Sequence, residues 1–355
     1  MQLRLIKPAE LEQAALLAHS IFRKAGDTSM KELFPLIFSP GYTHSYAAVA
    51  EDGNIAAFMG LVPSTIRTGE ALLNVFSIGA VCTDPAYRGQ GLAGQLLQLC
   101  QTHAANAGAS LIFVSGDRSL YTRAGCVPFG GTQLAELNAS SAHALAAAAG
   151  EEWTLRPMQP GDFFAVNRLL NEREAGQVYS PGELALLLDA EAYAGVLGLS
   201  QRSLVAVRDG SIEGFAAMAV PAADVPAPSP ATAVEWAGQP QAVAALLAKA
   251  ALCGGVGTLQ VPVPWQERSL LALLRDAGAS LSAGANSGTV CIADREALLR
   301  QTEVCLKRSL DLSSVDDDKE LISLLFDPAR PLRTSDSLGE SEAIPLPYMS
   351  GLHFI

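Results

Sequence analysis

A short glycine-rich loop contains the residue types in this sequence that are best suited to bind an anion. It reads Arg88-Gly-Gln-Gly-Leu-Ala93 and lies between an apolar run that ends at Val81 and a long apolar helical segment. The first N–H groups of a helix lack intrahelical partners, and the helix dipole favours negative charge there. Gly89 and Gly91 let the backbone approach a ligand closely, and Arg88 adds a permanent positive charge. We therefore expect this loop to bind a pyrophosphate.

The loop differs from the two common phosphate-binding motifs. It has no Gly-Lys-Ser/Thr sequence, and it lacks the glycine spacing and the acidic residue of the dinucleotide-binding fingerprint. It matches the R/Q-x-x-G-x-G/A signature of the GNAT N-acetyltransferases, which bind the pyrophosphate of acetyl-coenzyme A. The resemblance extends to the preceding strand end, Val81-Cys82-Thr83, and to the helical residues 94–100 that follow. The alternative interpretation is an ordinary strand-to-helix turn.

Acetyl transfer from a thioester to an amine needs a neutral amine, a stabilised oxyanion and a proton for the departing thiolate. In the GNAT family the thioester lies beside the strand before the loop, and a tyrosine in a short helix that ends at glycine is often the acid. The resemblance therefore implies Tyr121 as acid, since Leu120-Tyr-Thr-Arg-Ala-Gly125 fits that pattern. The implied cofactor-binding residues are Val81, Cys82, Thr83, Arg88, Gly89, Gln90, Gly91, Leu92, Ala93 and Gly94. The alternative for Tyr121 is an ordinary core position.

Length and composition predict a soluble protein with more than one domain. The chain has 355 residues, of which 49% are hydrophobic, so it can form two or three cores. No apolar run reaches the length of a membrane span, and the N-terminus resembles a strand rather than a signal peptide. The six scattered cysteines indicate small core residues in a reducing compartment rather than disulfides or zinc ligands. We expect a cytoplasmic protein.

The charge distribution and the histidine and cysteine side chains further limit the kinds of partner and chemistry that we expect. Residues 1–150 carry 9 Lys+Arg against 10 Asp+Glu, and residues 151–355 carry 15 against 26, which gives −1 and −11 and sums to −12. This acidity argues against nucleic acid; it fits a cationic substrate, or it only confers solubility. The histidines lack metal-ligand spacing, so no metal is expected, and His353 is the one worth testing. A thiol nucleophile at Cys82 or Cys126 would need a depressed pKa and a base, and the sequence indicates neither.

The order of elements predicts two copies of one fold. Residues 1–137 have the order β-α-β-β-β-α-β-α-β of the acetyltransferase fold, including a last strand near 127–137, and an Ala-rich connector follows at 138–150. The pattern of residues 3–10 then returns at 155–162, and that of 49–53 at 205–210. We predict an α/β (α+β) class with tandem GNAT folds, whose mixed, mostly antiparallel sheets are flanked by helices. The second domain would span 151–294.

The second copy lacks the ligand loop. Alignment of the two repeats places residues 88–93 on Gly238-Gln-Pro-Gln-Ala-Val243, which has no arginine and not the same glycines. Pro240 also removes a backbone donor. We therefore expect one cofactor per chain and a structural or substrate-shaping role for the second domain. A tandem enzyme with a second acyl donor, as in mycothiol-synthase-like pairs, is the alternative against which this loss argues.

Residues 295–355 predict a helical extension with a docking tail. Residues 294–310 and 316–326 have helical patterns, residues 221–230 form a proline-rich surface loop, and the apolar terminus should dock on the protein. Two GNAT-like domains with such an extension resemble the enhanced-intracellular-survival aminoglycoside acetyltransferase family, although sixty residues are fewer than that family's third domain needs. The resemblance implies that the main-chain carboxylate of Ile355 is the general base. The alternative is a tail that only covers an apolar groove.

The sequence thus predicts an acetyl-CoA-dependent N-acetyltransferase that acts on a primary amine of a small molecule, for example an aminoglycoside-like compound or a polyamine. The alternative is a non-catalytic CoA-binding or sensor protein on the same fold. We expect a small-molecule amine as partner, and neither nucleic acid nor a membrane. The acceptor, the acyl group and the oligomeric state, a homo-oligomer included, stay open.

Overall fold

The computed structural model of the chain describes residues 1–222, 229–306, 315–329 and 343–355. Contacts divide the chain into two units. Unit 1 contains residues 1–129, 287–344 and Ile355, and unit 2 contains residues 130–286 and 345–354. None of the helices within these described ranges has the length and apolar character that a bilayer span requires.

Short helices and strands alternate along both units. The strands are β1 (Gln2–Leu5), β2 (Tyr46–Val49), β3 (Ile55–Thr68), β4 (Ala71–Thr83), β5 (Leu111–Val114), β6 (Thr132–Leu137), β7 (Thr154–Pro157), β8 (Ala175–Gln177), β9 (Ser200–Arg208), β10 (Ser211–Val220), β11 (Ala231–Gly238), β12 (Leu259–Pro264), β13 (Ser280–Gly284) and β14 (Thr289–Ile292). The α-helices are α1 (Leu11–Phe22), α2 (Met30–Leu33), α3 (Pro35–Phe38), α4 (Leu92–Asn106), α5 (Ser119–Arg123), α6 (Ala139–Ala149), α7 (Phe163–Asn171), α8 (Pro181–Ala190), α9 (Ala192–Leu197), α10 (Pro240–Ala251), α11 (Arg268–Asp276), α12 (Arg295–Thr302) and α13 (Asp318–Phe326).

The sheet of unit 1 has the strand order β1-β2-β3-β4-β5-β14. Its pairs are antiparallel except β4 with β5, which is parallel. The helix α4 covers one face of this sheet, and its side chains Leu96, Leu97 and Cys100 share a buried cluster with Ile78 of β4. The core therefore fixes the start of α4 next to the end of β4, where the glycine-rich loop lies.

The sheet of unit 2 has the strand order β13-β6-β12-β11-β10-β9-β7, and only β11 with β12 is parallel. The many alanines of α10 let this helix pack closely against the sheet, and its Leu246 and Leu247 fill the same buried cluster. Both sheets are mixed, mostly antiparallel and flanked by helices, so the predicted fold class is confirmed.

Two stretches of chain show more than the prediction. The Ala-rich residues 138–150, predicted to be a helical or loose connector, contain helix α6. Its Ala142, Leu145 and Ala149 lie in the buried cluster of unit 2, because alanines allow close helix packing even with few large side chains. The last predicted strand of residues 1–137 is β6, which pairs with β12 and β13, whereas β14 pairs with β5. The boundaries of the two units therefore fall at 129 and 286 rather than at 137 and 294.

The repeated N-terminal motif has the same local structure in both units. In unit 1 the Arg4 guanidinium donates two hydrogen bonds to the Glu10 carboxylate, at 2.8 and 2.7 Å. In unit 2 Arg156 donates two to Asp162, at 2.5 and 2.8 Å. Each carboxylate also accepts a backbone N–H from three residues earlier, at Lys7 and Gln159 respectively. The sequence echo thus corresponds to a repeated structural motif.

The C-terminal extension has helices where they were predicted. α12 is followed by a 3-10 turn at Glu303–Cys305, and α13 carries acidic residues in its first turn. Residues 307–310 of the first predicted helix and residues 223–228 of the predicted proline-rich loop lie outside the described residues.

Candidate active site

The glycine-rich loop begins with a tight turn after β4. The Asp84 side chain accepts the backbone N–H of Ala86 at 2.8 Å, and Pro85–Tyr87 forms a single 3-10 turn. Gly89 and Gly91 have φ values of +79° and +72°. A Cβ on Gly89 would meet nothing within 4 Å, so the positive φ rather than lack of space explains that glycine.

The loop presents backbone donors and one cation at the start of α4. Gly91 is the N-cap residue of α4 and makes no side-chain capping bond, so the N-cap residue leaves the first N–H groups of the helix without a side-chain acceptor. Gly89, Gln90 and Gly91 are exposed, Ala93 and Gly94 are half-buried, and Leu92 is buried and anchors the first turn. The exposed Arg88 side chain donates to the Thr83 carbonyl at 3.4 Å. The predicted pyrophosphate residues therefore lie together on one anion-attracting surface.

The strand before the loop has a bulge and one open edge. β4 pairs with β5 only up to Ile78, opposite Val114, but it pairs with β3 as far as Thr83. Between Gly79 and Cys82 the register with β3 shifts, and Ala80 has a φ of +49°. The backbone of residues 79–83 consequently has a strand neighbour on one side only, among the described residues. Val81 and Thr83 are half-buried beside this edge, as a site for a peptide-like ligand requires.

The chain terminus lies against this same part of β4. A Cβ atom built on Gly79 would lie 2.5 Å from the carboxylate carbon of Ile355 and 2.9 Å from one of its oxygens. Ile355 is buried, with 7% of its surface exposed. The terminal carboxylate group is thus held beside the residue that precedes the bulge. Prediction from the sequence named Ile355 but missed Gly79, although a glycine inside a strand often marks a close approach of backbone.

The preceding residues of the tail are held by buried polar groups of unit 2. The Leu352 N–H donates to Glu235 Oε2 at 3.3 Å, and Asn286 Nδ2 donates to the Pro347 carbonyl at 2.7 Å. Glu235 also accepts from Tyr179 at 3.2 Å and forms a buried ion pair with Arg173. The predicted docking of the apolar tail thus combines apolar burial with a buried carboxylate that the sequence did not reveal.

Tyr121 lies in the short helix α5 and is buried. Burial raises the pKa of its phenol above the ordinary value, which keeps the proton on the oxygen at neutral pH. A protonated phenol is a possible acid for a thiolate, so this burial is compatible with both interpretations of Tyr121.

The other predicted reactive groups behave differently. Burial raises the pKa of the Cys82 thiol to about 12, which rules out a thiolate there at neutral pH. His353 is buried with Nε2 3.5 Å from Glu183 Oε1. His103 lies between Tyr46 and His44, with each contact at 3.2 Å, and burial together with His44 lowers its pKa. Within the described ranges no three His, Cys, Asp or Glu side chains converge as a metal site would need.

The matching position of unit 2 has a different chemistry. Its turn leads into α10 through Gln239 and Pro240, and it borders a cavity of about 430 Å³. The charged side chains that line the cavity are Glu172, Glu174, Glu213, Glu267, Arg168 and Arg173. Four carboxylates against two guanidinium groups make this cavity acidic. Such a surface repels phosphates rather than binding them.

Comparisons with known proteins agree with the arrangement in unit 1. Residues 2–129 match the family model described as "Acetyltransferase (GNAT) domain". No curated protein matches the chain.

Solved structures share the fold over most of the chain. A "Probable N-Acyltransferase" of Enterococcus faecalis superposes with a TM-score of 0.65 at 14% identity, over 84% of this chain and 74% of its own. A GCN5-related N-acetyltransferase from Anabaena variabilis gives 0.64 at 14%, with the same 84% and 74% coverage. Eis1 from Mycobacterium abscessus gives 0.56 at 12%, over 84% and 75%. At these identities the likeness shows a common fold. The family model adds that residues 2–129 of this chain match a GNAT acetyltransferase domain.

Proposed function

We propose that this protein transfers the acetyl group of acetyl-CoA to a primary amine of a small molecule. The observation that carries the proposal is the contact of the Ile355 carboxylate with Gly79, directly before the bulge of β4. A carboxylate at the edge where a thioester would lie can accept the proton that an attacking ammonium must lose. A non-catalytic CoA-binding protein would have no chemical need for a carboxylate at this position.

The residues of unit 1 fit acetyl-CoA. The uncapped N-terminus of α4, the exposed glycines 89 and 91 and the Arg88 side chain would hold its pyrophosphate. The open backbone edge of residues 79–83 would pair with its pantetheine amides. When bound, acetyl-CoA supplies the activated acyl group. Ile355 would take the proton of the amine, directly or through a water, and Tyr121 would donate a proton to the departing sulfur.

The acidity of the chain supports a cationic acceptor. Residues 151–355 carry 26 Asp+Glu against 15 Lys+Arg. Long-range attraction between this surface and a protonated amine would raise the rate of encounter. We therefore propose an amine that is positively charged in solution and is deprotonated within the site.

A screen of acceptor amines tests the proposal. The full chain is mixed with acetyl-CoA and with single amines, polyamines and aminoglycosides among them, and release of the free CoA thiol is followed. We expect at least one amine to be acetylated, with calorimetry giving one acetyl-CoA per chain, because the turn of unit 2 lacks the arginine of the loop in unit 1 and borders an acidic cavity. The double variant Arg88→Ala, Gly91→Val should lose binding, whereas Arg202→Ala, which removes an exposed arginine of β9, should retain it. Binding of acetyl-CoA without turnover on any amine would favour the sensor interpretation instead.

A further inference from the structure

Two cysteines of unit 1 face each other across a short antiparallel bridge. Val127 and Val290 exchange both backbone hydrogen bonds, each with an N to O distance of 2.9 Å. In an antiparallel pair the residues next to such a doubly bonded pair stand directly opposite each other, with Cα atoms about 4.5 Å apart. Cys126 and Cys291 are those neighbours. A disulfide needs Cα atoms about 4.4–6.8 Å apart, and the separation expected of such an opposed pair lies at the lower end of that range.

The two side chains also meet. The side chains of Cys126 and Cys291 both belong to the buried cluster beneath α4, and each thiol shifts the pKa of the other. Gln101 Nε2 of α4 approaches the sulfur of Cys291 at 4.0 Å, and it donates to the Ala124 carbonyl at 3.2 Å. Both cysteines are free thiols in the structure.

We propose that Cys126 and Cys291 form a reversible disulfide when the protein meets a peroxide-class oxidant. In the first step the Cys126 sulfur attacks an oxygen of hydrogen peroxide, which becomes water, and a sulfenic acid forms on Cys126. In the second step the Cys291 sulfur attacks the sulfenic sulfur and a second water leaves. Two thiols and one peroxide thus give one disulfide and two waters. A thiol such as dithiothreitol reverses the reaction by exchange.

The environment assigns different roles to the two sulfurs. The hydrogen bond from Cys291 lowers the pKa of Cys126, with help from Thr289, whereas the same contact raises the pKa of Cys291. The thiolate is the reactive form, so we assign Cys126 as the sulfur that is oxidised first and Cys291 as the one that resolves it. Cys100 lies in the same cluster without this advantage, because burial raises its pKa to about 12.

Burial restricts which oxidants can act. Cys126 and Cys291 are 1% and 4% exposed. A molecule near the size of water can reach them through small local openings, whereas a bulky aromatic disulfide reagent cannot. We therefore expect hydrogen peroxide to react with this pair in the folded protein, while the bulky reagent reacts first with the half-exposed Cys253 and Cys305.

The disulfide would act on the turn that follows the helix of Tyr121. The N–H of Cys126 donates to the Tyr121 carbonyl at 3.0 Å, so the cysteine and the tyrosine belong to one hydrogen-bonded turn. A covalent link to β14 would hold that turn in place. The expected consequence, a lower kcat that reductant restores, rests on the proposed acetyltransferase function, whereas the link itself does not.

Peptide mapping of the full-length protein tests the proposal. The folded chain is treated with hydrogen peroxide, unreacted thiols are blocked, and the digest is analysed without reductant. We expect a cross-linked peptide pair containing residues 126 and 291, lighter than the two peptides by two hydrogens, that separates with dithiothreitol. Cys126→Ser and Cys291→Ser should each abolish it, and Cys100→Ser, from the same buried cluster, should not.

The decisive comparison is with the other thiols. If Cys253 and Cys305 are oxidised in the folded wild-type chain while residues 126 and 291 stay unlinked, the proposal is overturned. The same holds if the 126–291 link forms only after unfolding in guanidinium. These results need no variant, so a serine variant that fails to fold would not affect the test. A link that forms without changing turnover would reject the effect on Tyr121 alone.

Discussion

The carboxylate carbon of Ile355 lies 2.5 Å from the point where a side chain on Gly79 would begin, and the Ile355 Cγ2 lies 2.6 Å from it. Real Cβ contacts are never so short. The backbone of Gly79 has no positive φ in the structure, so a larger residue is excluded by space and not by conformation. The strand and the chain terminus therefore depend on each other: β4 accepts this terminus only while residue 79 is glycine.

Gly79→Ala should therefore displace the terminal carboxylate. The terminus can move more easily than a central strand, so we expect the fold to persist and kcat to fall by about 10²-fold, since misplacement of a base by an ångström has effects of this size. Steady-state kinetics and circular dichroism measure the two quantities. Gly41→Ala is the matched control, because a Cβ there meets nothing within 4 Å. An equal kcat in Gly79→Ala and Gly41→Ala would show that the position of the terminal carboxylate does not matter for catalysis.

Lengthening the tail tests the carboxylate without removing the apolar contacts. Leu352 and Ile355 are buried, and such side chains contribute roughly 1.5–3 kcal/mol each when fully buried. Two glycines added after Ile355 should leave these contacts largely in place while they move the carboxylate by up to about 7 Å. We expect a large loss of kcat with a nearly unchanged Tm. Normal turnover of the extended protein would show that the tail contributes only packing and that its carboxylate is not the base.

The contact of Gly79 with Ile355 also shows what sequence can reveal. The loop of residues 88–94 was predictable because strand, glycines and helix are adjacent in sequence, and local geometry alone brings its donors together. The contact of Gly79 with Ile355 was not predictable, because it depends on the path of the whole C-terminal extension. The resemblance to a family supplied Ile355; the residues themselves indicated only an apolar end that should dock.

The substitution Tyr121→Phe tests whether Tyr121 is the general acid of the transfer. The substitution removes one oxygen from a buried side chain in α5 and leaves the ring in place. If the phenol protonates the thiolate, kcat should fall by about 10²–10⁴-fold while the affinity for acetyl-CoA changes little. Tyr46→Phe, which removes the hydroxyl that contacts His103, is the matched control. Full kcat in the Tyr121→Phe variant would show that Tyr121 is an ordinary core residue and not the acid.

Strand exchange marks a second limit of prediction. The sequence correctly indicates a strand at β6, but it does not specify which sheet accepts that strand. β6 pairs with β12 and β13 of unit 2, and β14 with β5 of unit 1. The repeated motif at residues 3–10 and 155–162 was easier to identify, because its arginine and its carboxylate are close in sequence and carry their own geometry.

The ion pair of Arg4 with Glu10 in this repeated motif predicts how the stability of the folded protein changes at acidic pH. The hydrogen bond from Arg4 lowers the pKa of Glu10 from 4.5 to about 2. A carboxylate with a depressed folded-state pKa stabilises the protein fully above its unfolded value, and this contribution is lost as the pH falls through its folded value. The window is thus between about pH 4.5 and pH 2. Both side chains are partly exposed, so solvent screening should reduce the contribution to about 1 kcal/mol.

Glu10→Gln should therefore lower the urea midpoint of unit 1 at pH 6, and the difference from the wild type should shrink as the pH approaches 2. Most of the contribution of the pair would then be lost, because the wild-type carboxyl is itself becoming protonated near its folded-state pKa of about 2. Glu12→Gln is the matched control: Glu12 pairs with Lys31 at 2.6 Å, but both side chains are more than half exposed, so the change should be small at every pH. Circular dichroism during urea titrations at pH 6, 4, 3 and 2 measures these midpoints. A difference between wild type and Glu10→Gln that stays constant from pH 6 to pH 2 would show that the Arg4 contact acts through packing and not through the charge of Glu10.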